Sequence, residues 1–450
     1  MRVADRPFPP IVLDDVPQIS HWPVRPVIAI EGGTPLARWD DGVSFWDDGI
    51  ATWDGDPDAT GWLDATCAWF GLELEQGTPD DAMLVPATRL SVQLDNRDGR
   101  WSGLDADGTQ SQFAPGKMIQ LWAHRTDVDL DRRFGEGTFG SETFGVDRVD
   151  ADWWLFSGRI ARWDQRADDS IEVEAFDSFS DLAQPIGSYT PGVAGQRPSA
   201  RLQAIIDLLA AEDTIPNRWQ TGTVTLSAQV TDQSPLEEMQ VIATSDAGLL
   251  FVDADGTLLY LDRTWRAGRT DQGAIPSASG NVCTADVVVW EPLISTSDDR
   301  LADYVNLENL GGVRSVAGTL PGFVYAEVEQ QWRTQEEGDA IAALYLNDRT
   351  PRRMAVEELT LYLLDPHQPD IWRSVDWRRL DRLRFVQDRK TTGGSTLRID
   401  IDVLVASIVH EITPEGGWTM TVGCSRAIST TAPIFYDTGH LYDTGEVYGF

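Results

Sequence analysis

The chain has 450 residues and carries 36 Lys and Arg against 72 Asp and Glu, a formal net charge of −36. That balance excludes function through phosphate neutralisation on duplex DNA or docking on anionic lipid, because both need a basic face. The 42% hydrophobic and 24% charged fractions belong to folded globular protein rather than to a disordered acidic tail, and at roughly 150 residues per domain the length predicts about three domains.

No apolar run approaches the roughly 18 residues that span a bilayer, so no membrane span is expected. The opening Met1-Arg2-Val3-Ala4-Asp5-Arg6-Pro7 has no apolar signal region, and cytosolic synthesis without Sec export is the expectation. Cys67, Cys283 and Cys424 are far apart and in no ligand spacing, and read as buried thiols. Residues 1–78 carry few helix or strand patterns but hold a repeat: Trp39-Asp40-Asp41-Gly42, Trp46-Asp47-Asp48-Gly49 and Trp53-Asp54-Gly55. The Gly and paired acids make each unit a turn rather than part of a coiled coil. Similar aromatic-Gly units recur at Phe134, Phe139 and Phe144, and again at Tyr436 and Tyr442.

From Leu84 the pattern changes to strands. Leu90, Val92 and Leu94 alternate with Ser91, Gln93 and Asp95, and Asn96-Arg97-Asp98-Gly99 closes the run with turn chemistry. Ile119–Ala123, Trp153–Ile160 and Ile171–Phe176 are further strands, and together they predict an antiparallel barrel or sandwich. An α+β block follows. Ser199 is the expected cap of a helix with Leu202, Ile205, Ile206 and Leu209 on one face. Ser234-Pro235-Leu236-Glu237 is a capping box opening a second helix that ends near Gly248. Leu249–Val252 and Leu258–Leu261 flank Asp255-Gly256 as a hairpin, and Arg266–Asn281 reads as a linker.

Strands resume at Val287–Trp290 and Tyr304–Leu310. Thr334 and Glu337 form a second capping box, and strands return at Leu359–Leu363, Leu397–Ile408 and Trp418–Val422. The end of this block echoes the first: Leu155–Ile160 leads to Phe176-Asp177-Ser178, and Val403–Ile408 leads to Gly423-Cys424-Ser425. The Ile160–Ser178 and Ile408–Ser425 spacings are 18 and 17 residues, which points to two related β modules.

Catalytic signatures are missing. Gly116-Lys117 is followed by Met118, so there is no P-loop, and no Gly-x-Ser-x-Gly elbow exists. His21, His124, His367, His410 and His440 form no pair at helical ligand spacing. His410-Glu411 starts like a zinc-protease motif but continues Ile412-Thr413-Pro414. Asp127, Asp129 and Asp131 alternate like a calcium loop, but Arg132 and Thr138 occupy the positions that need Gly and Glu. No cofactor, metal or catalytic residue is therefore assigned. The Trp-Asp repeats read as interface anchors, with sugar binding and glycoside hydrolysis as the alternatives.

Several strings together suggest a family. Leu90-Ser91-Val92-Gln93-Leu94-Asp95-Asn96-Arg97-Asp98-Gly99-Arg100-Trp101, Leu155-Phe156-Ser157-Gly158-Arg159-Ile160, Gly248-Leu249-Leu250-Phe251-Val252-Asp253-Ala254-Asp255-Gly256, Ser407-Ile408-Val409-His410-Glu411-Ile412-Thr413-Pro414 and the ending Phe435-Tyr436-Asp437-Thr438-Gly439 occur in an order that resembles minor tail proteins of long-tailed actinobacterial phages, over residues 84–450. The resemblance implies a tail-tip or baseplate hub: a homotrimer whose chains each contribute two tube-like barrels, so that three chains match a hexameric tail tube. It implies a mainly β fold with an α+β insertion. The expected parts are an N-terminal extension (1–78), a first tube-like β-barrel module (79–195), a helix-hairpin domain (196–282), a second module with a flanking helix (283–428) and a C-terminal tail (429–450).

The implied partners are the distal tail (tube-capping) protein, the end of the tape-measure protein and downstream tip or fibre proteins, with DNA passing through without specific binding. The implied place is the virion tail tip, assembled in the host cytoplasm. Trp39, Trp46, Trp53, Phe134, Phe139, Phe144, Tyr436 and Tyr442 are the expected partner-interface residues. A host-surface glycan-binding tail protein and a cell-wall-degrading tail enzyme stay open as alternatives.

Overall fold

The computed structural model describes residues 22–31, 62–65, 69–77, 85–97, 101–102, 115–125, 152–209, 215–263, 282–283, 293–295, 303–319, 324–349, 355–366, 371–390, 396–415, 417–426 and 436–437. The fold is mainly β and is built on one curled sheet. The first strands are β1 (Val24–Glu31), β2 (Trp62–Asp64), β3 (Trp69–Gln76), β4 (Arg89–Asp95), β5 (Met118–Arg125), β6 (Asp152–Gln165) and β7 (Ser170–Phe176). After them come α1 (Phe179–Leu182), β8 (Tyr189–Gly192), α2 (Pro198–Leu208), β9 (Asn217–Trp219), β10 (Gln229–Thr231), α3 (Pro235–Thr244), β11 (Leu249–Val252) and β12 (Leu258–Leu261). Next are β13 (Val282–Cys283), β14 (Leu293–Ser295), β15 (Tyr304–Asn309), β16 (Arg314–Gly318), β17 (Val324–Gln330) and α4 (Gln335–Arg349). The chain closes with β18 (Ala355–Tyr362), a 3₁₀ turn (Ile371–Asp376), β19 (Arg382–Lys390), β20 (Thr396–Thr413), β21 (Gly417–Arg426) and β22 (Tyr436–Asp437).

The large sheet runs β14-β18-β21-β20-β3-β4-β7-β6-β5-β1-β2, with β19 and β22 attached at β20 and β13 attached at β19. Strand β20 is the hinge of this order. One of its edges pairs first with β19 (Thr396–Leu404) and then with β3 (Ile408–Ile412). The other edge pairs with β22 and then with β21. A single 18-residue strand thus belongs to both halves of the sheet.

The halves repeat one another. In chain order β3, β4, β5, β6 and β7 stand side by side as β3-β4-β7-β6-β5, while β14, β18, β19, β20 and β21 stand as β14-β18-β21-β20-β19. Each half is centred on an antiparallel hairpin with one register shift, between Ile160 and Arg162 in β6 and between Val405 and Ser407 in β20. The duplication lies in the strand order and the register shift; these set Ile160 on Val405, so the echo between Leu155–Ile160 and Val403–Ile408 is three residues out of structural register.

Alternation sets which face is buried. In β4, Leu90, Val92 and Leu94 point inward and their neighbours outward; each inward side chain contributes roughly 1.5–3 kcal/mol through burial. The inward residues of both halves form one core that includes Leu72, Leu74, Val173, Val405, Ile408, Ile412 and Trp418. The tilted contact of Trp153 with Trp372 crosses between the halves, ring centroids 5.8 Å apart.

Three sequence expectations change here. Residues 1–78 contain β1, β2 and β3, all members of the large sheet. Strand β1 is buried on both faces, with Ile28 and Ile30 in the main core and Val27 and Ala29 against Trp122, so it shows no alternation. Helix α2 starts at Pro198 with Arg197 as its cap, because proline presets the first helical φ; the Ser199 hydroxyl instead donates to the Thr221 carbonyl at 3.1 Å. Residues 304–346 do not pack with the large sheet. Strands β15, β16 and β17 form their own sheet, and Val305, Leu307, Trp332, Ile341 and Tyr345 join Leu202, Ile206, Met239, Phe251 and Tyr260 in a second core. Both capping boxes are present, at Ser234/Glu237 and Thr334/Glu337, as is the β11–β12 hairpin. Val287–Trp290 and Arg266–Asn281 lie outside the described residues.

Gly158 of β6 sits where a Cβ would strike the Phe176 carbonyl and the Phe156 ring. Gly158→Ala is expected to lower stability by about 1–3 kcal/mol through overpacking, read from the urea unfolding midpoint at unchanged m-value.

Candidate functional site

The outward face of the sheet carries a continuous polar surface across the join. Directly paired residues in neighbouring strands share a face, so the register defines a row: Tyr362, Thr419, Glu411, Glu73, Ser91, Glu174, Arg162. The next row is Thr360, Thr421, Val409, Glu75, Arg89 and Phe176, and Gln93, Glu172 and Asp164 form a third. Acids prevail on this face. Arg89 bonds Glu174 at 2.7 Å and lies 3.8 Å from Glu75, and Arg162 pairs with Asp164. Two pairs set acid directly opposite acid: Glu73 with Glu411 at the join, and Asp164 with Glu172. Arg162 and Arg166 pair with the two acids of the second set, so the cost of like charges, up to about 1 kcal/mol, falls on Glu73 and Glu411.

Beneath the join lies a buried charge cluster. Strand β20 leaves a gap between its β19 and β3 ladders at Val405–Ser407, and Arg379 fills it. Its Nε donates to the Ala406 carbonyl at 3.1 Å, and its guanidinium stacks over Phe251, 5.0 Å from the ring centre. Gly77 has φ +77, and a Cβ there would lie 2.6 Å from the same carbonyl; only glycine suits this approach. The countercharges come from two other parts of the chain. Asp177, just past β7, accepts the amides of Thr88 (2.7 Å) and Phe179 (3.0 Å). Asp253, in the β11–β12 turn, lies 3.9 Å from Arg378. At the tip of that turn Gly256, at φ +86, comes so close to Ser157 of β6 that a Cβ would sit 3.2 Å away. Both halves of the sheet and the inserted domain therefore meet around Arg379.

Burial sets the protonation of this cluster. Desolvation pushes Asp177 up to about 6, against the amide bonds and Arg379. Desolvation also raises Asp253, opposed by Arg378. It lowers Arg379 to about 10, opposed by Asp177 and Asp253, which leaves the guanidinium charged at neutral pH. His410 faces the core on β20. Burial lowers it to about 3, and its Nδ1 accepts the Trp418 Nε1–H at 3.1 Å, so it works as a neutral packing group. Cys424 is a buried thiol. Among the described residues no three His, Cys, Asp or Glu are grouped to hold a metal ion, and no helix is long and apolar enough to cross a membrane.

Of the expected interface aromatics, Trp39, Trp46, Trp53, Phe134, Phe139, Phe144 and Tyr442 lie outside the described residues. Tyr436 lies in β22, whose backbone pairs with β20 at Arg398. Sequence reasoning missed the acid row across the join. Its signal was present in Leu72-Glu73-Leu74-Glu75, an alternation within the segment read as irregular.

The described sheet and insertion have the fold of phage tail proteins. The tail protein from Neisseria meningitidis MC58 is similar over 90% of this chain and 97% of its own, with a TM-score of 0.52 at 11% identity. The 43 kDa tail protein of prophage MuSo2 from Shewanella oneidensis is similar over 89% and 98%, with a TM-score of 0.50 at 12% identity. No family model and no curated protein sequence matches the chain.

Because Asp177 holds its proton more tightly folded than unfolded, where its ordinary value is 3.8, its contribution to stability is complete below that value and is lost as pH rises through about 6. Relative to the parent, Asp177→Asn should therefore gain stability between about pH 4.5 and pH 7.5, measured by urea unfolding of both proteins at each pH.

Proposed function

We propose that this chain is a structural, non-enzymatic virion protein: a homotrimeric hub at the tail tip or baseplate. In this reading it caps the hexameric tail tube, meets the distal tail protein, surrounds the end of the tape-measure protein and carries tip or fibre proteins below. The observation that carries the reading is the single sheet running through two repeated halves with one acid-rich face. A duplicated unit lets three chains present six equivalent surfaces, the number a sixfold tube needs. The likeness in fold to phage tail proteins, over nearly the whole length of those proteins, supports the same reading.

The polar face is the proposed lining of the DNA channel. Carboxylates repel phosphate, so a duplex would meet no adhesive contact. The like-charge pair Glu73/Glu411 fits a surface kept negative at some cost in stability. The aromatic-Gly segments holding Trp39, Trp46, Trp53, Phe134, Phe139, Phe144, Tyr436 and Tyr442 are proposed as anchors on neighbouring subunits.

Two measurements test this. Cryo-EM of assembled tails should place three copies at the tip with Glu73, Glu174 and Glu411 facing the axis; an outward-facing row would reject the channel assignment. Glu73→Lys, Glu174→Lys and Glu411→Lys combined should give a folded protein that retains duplex DNA at low salt and releases it at high salt, whereas the parent flows through.

A further inference from the structure

The internal join predicts the join between chains. In the second half, β20 outlasts β19: that ladder ends at Arg382 opposite Leu404, and β3 takes the same edge from Ile408 to Ile412. Among the described residues of the first half, β6 outlasts β5 in the same way. The β5 ladder ends at Met118 opposite Arg159, while β6 continues to Gln165, held on its other edge by β7. Aligning the two register shifts sets Trp163, Asp164 and Gln165 of β6 on Ile408, Val409 and His410 of β20, the positions opposite Gln76, Glu75 and Leu74 of β3.

Facing agrees with the alignment, since Trp163 packs against the core as Ile408 does, and Asp164 lies on the polar face as Val409 does. By the same duplication, the counterpart of β3 is β14, which ends the sheet among the described residues. The row Leu293, Glu358, Gly423, Ser407 repeats the row Glu73, Ser91, Glu174, Arg162, so Leu293 stands for Glu73, and Ile294 and Ser295 fall on the positions opposite Gln165 and Asp164. Within one chain β6 and β14 stand at opposite ends of the ribbon β6-β7-β4-β3-β20-β21-β18-β14, so neither can serve the other.

We propose that β14 of one copy adds to the outer edge of β6, at Asp164 and Gln165, in the next copy, repeating between chains the β3–β20 contact made within each chain. Such a contact is heterologous: it uses two different surfaces, and it gives a ring when the rotation between copies closes. The ring's size rests on the trimeric reading above, but the contact itself rests on the duplication. The Arg166 amide donates to the Ser170 carbonyl on the β7 side, so strand alternation turns the Gln165 amide to the outer edge.

The outward amide gives a clean variant. Gln165→Pro removes that donor at an edge position where proline is tolerated, and leaves the β7 ladder in place. A second, independent arm uses Asp164→Cys and Ser295→Cys in full-length chain carrying Cys67→Ser and Cys283→Ser, treated with a short bis-maleimide. Neither single variant should cross-link above background, because the contact pairs unlike surfaces; the double variant should give covalent dimers and trimers. Gln165→Pro should sediment as a folded monomer under conditions where the parent is trimeric. A trimeric parent whose double variant stays uncross-linked and whose Gln165→Pro form stays trimeric would overturn this contact and leave the hub reading standing. A parent that remains monomeric when concentrated, alone or with purified tail tubes, would overturn the hub reading and this contact with it.

Discussion

Everything described here depends on one strand serving two neighbours along one edge. A backbone edge has a fixed number of donors and acceptors, and β20 divides its own between β19 and β3. The division requires a change of direction, and the register shift between Val405 and Ser407 supplies it. The shift leaves carbonyl groups without a strand partner, which is costly in a buried place. Arg379 answers the Ala406 carbonyl, and the Val405 amide and carbonyl are met by Asp381 and Leu380. A cation placed there needs countercharge, and Asp177 and Asp253 provide it from the first half of the sheet and from the insertion. The fusion of the halves and the seating of the inserted domain are consequences of the same interrupted ladder.

The two faces of the sheet divide the work. The inward face joins both halves into a single apolar core and supplies the stability. The outward face carries carboxylates, some directly opposed across strands, and is tolerated because the inward face more than offsets it. Burial below and repulsion above meet at the same few residues of β3 and β20, which makes the join both the mechanical and the electrostatic centre of the molecule.

What could be read from the sequence followed from periodicity and caps. Strands β4 and β7 alternate cleanly, and Ser234/Glu237 and Thr334/Glu337 close their boxes as their spacing dictates. Strand β1 escaped because it is buried on both sides and carries Pro26; the proline is accommodated since β2 pairs only with Ala29–Glu31. Strand β3 was hidden by the tryptophan-rich segment before it, although its Leu-Glu alternation is plain. The membership of β15–β17 and α4 in the second core was not legible at all. Strands show local periodicity but not which core they fill, and Tyr304–Asn309 alternates as well against α4 as it would against a barrel. The acid row and the Arg379 cluster join residues hundreds of positions apart and exist only once the register is known.

The inserted domain is threaded on two separate excursions of the chain. Residues 179–261 and 304–346 each supply part of its core, and the chain returns to the large sheet at β13 and β14 between them. Neither excursion can complete that core alone. Recombination that exchanges one stretch of gene would leave half a core from each parent, so the insertion should pass between related genes together with the strands between its two pieces. Divergence in this region is then confined to loops and surface residues, and gain of a new module is easier at the ends of the chain than at its centre.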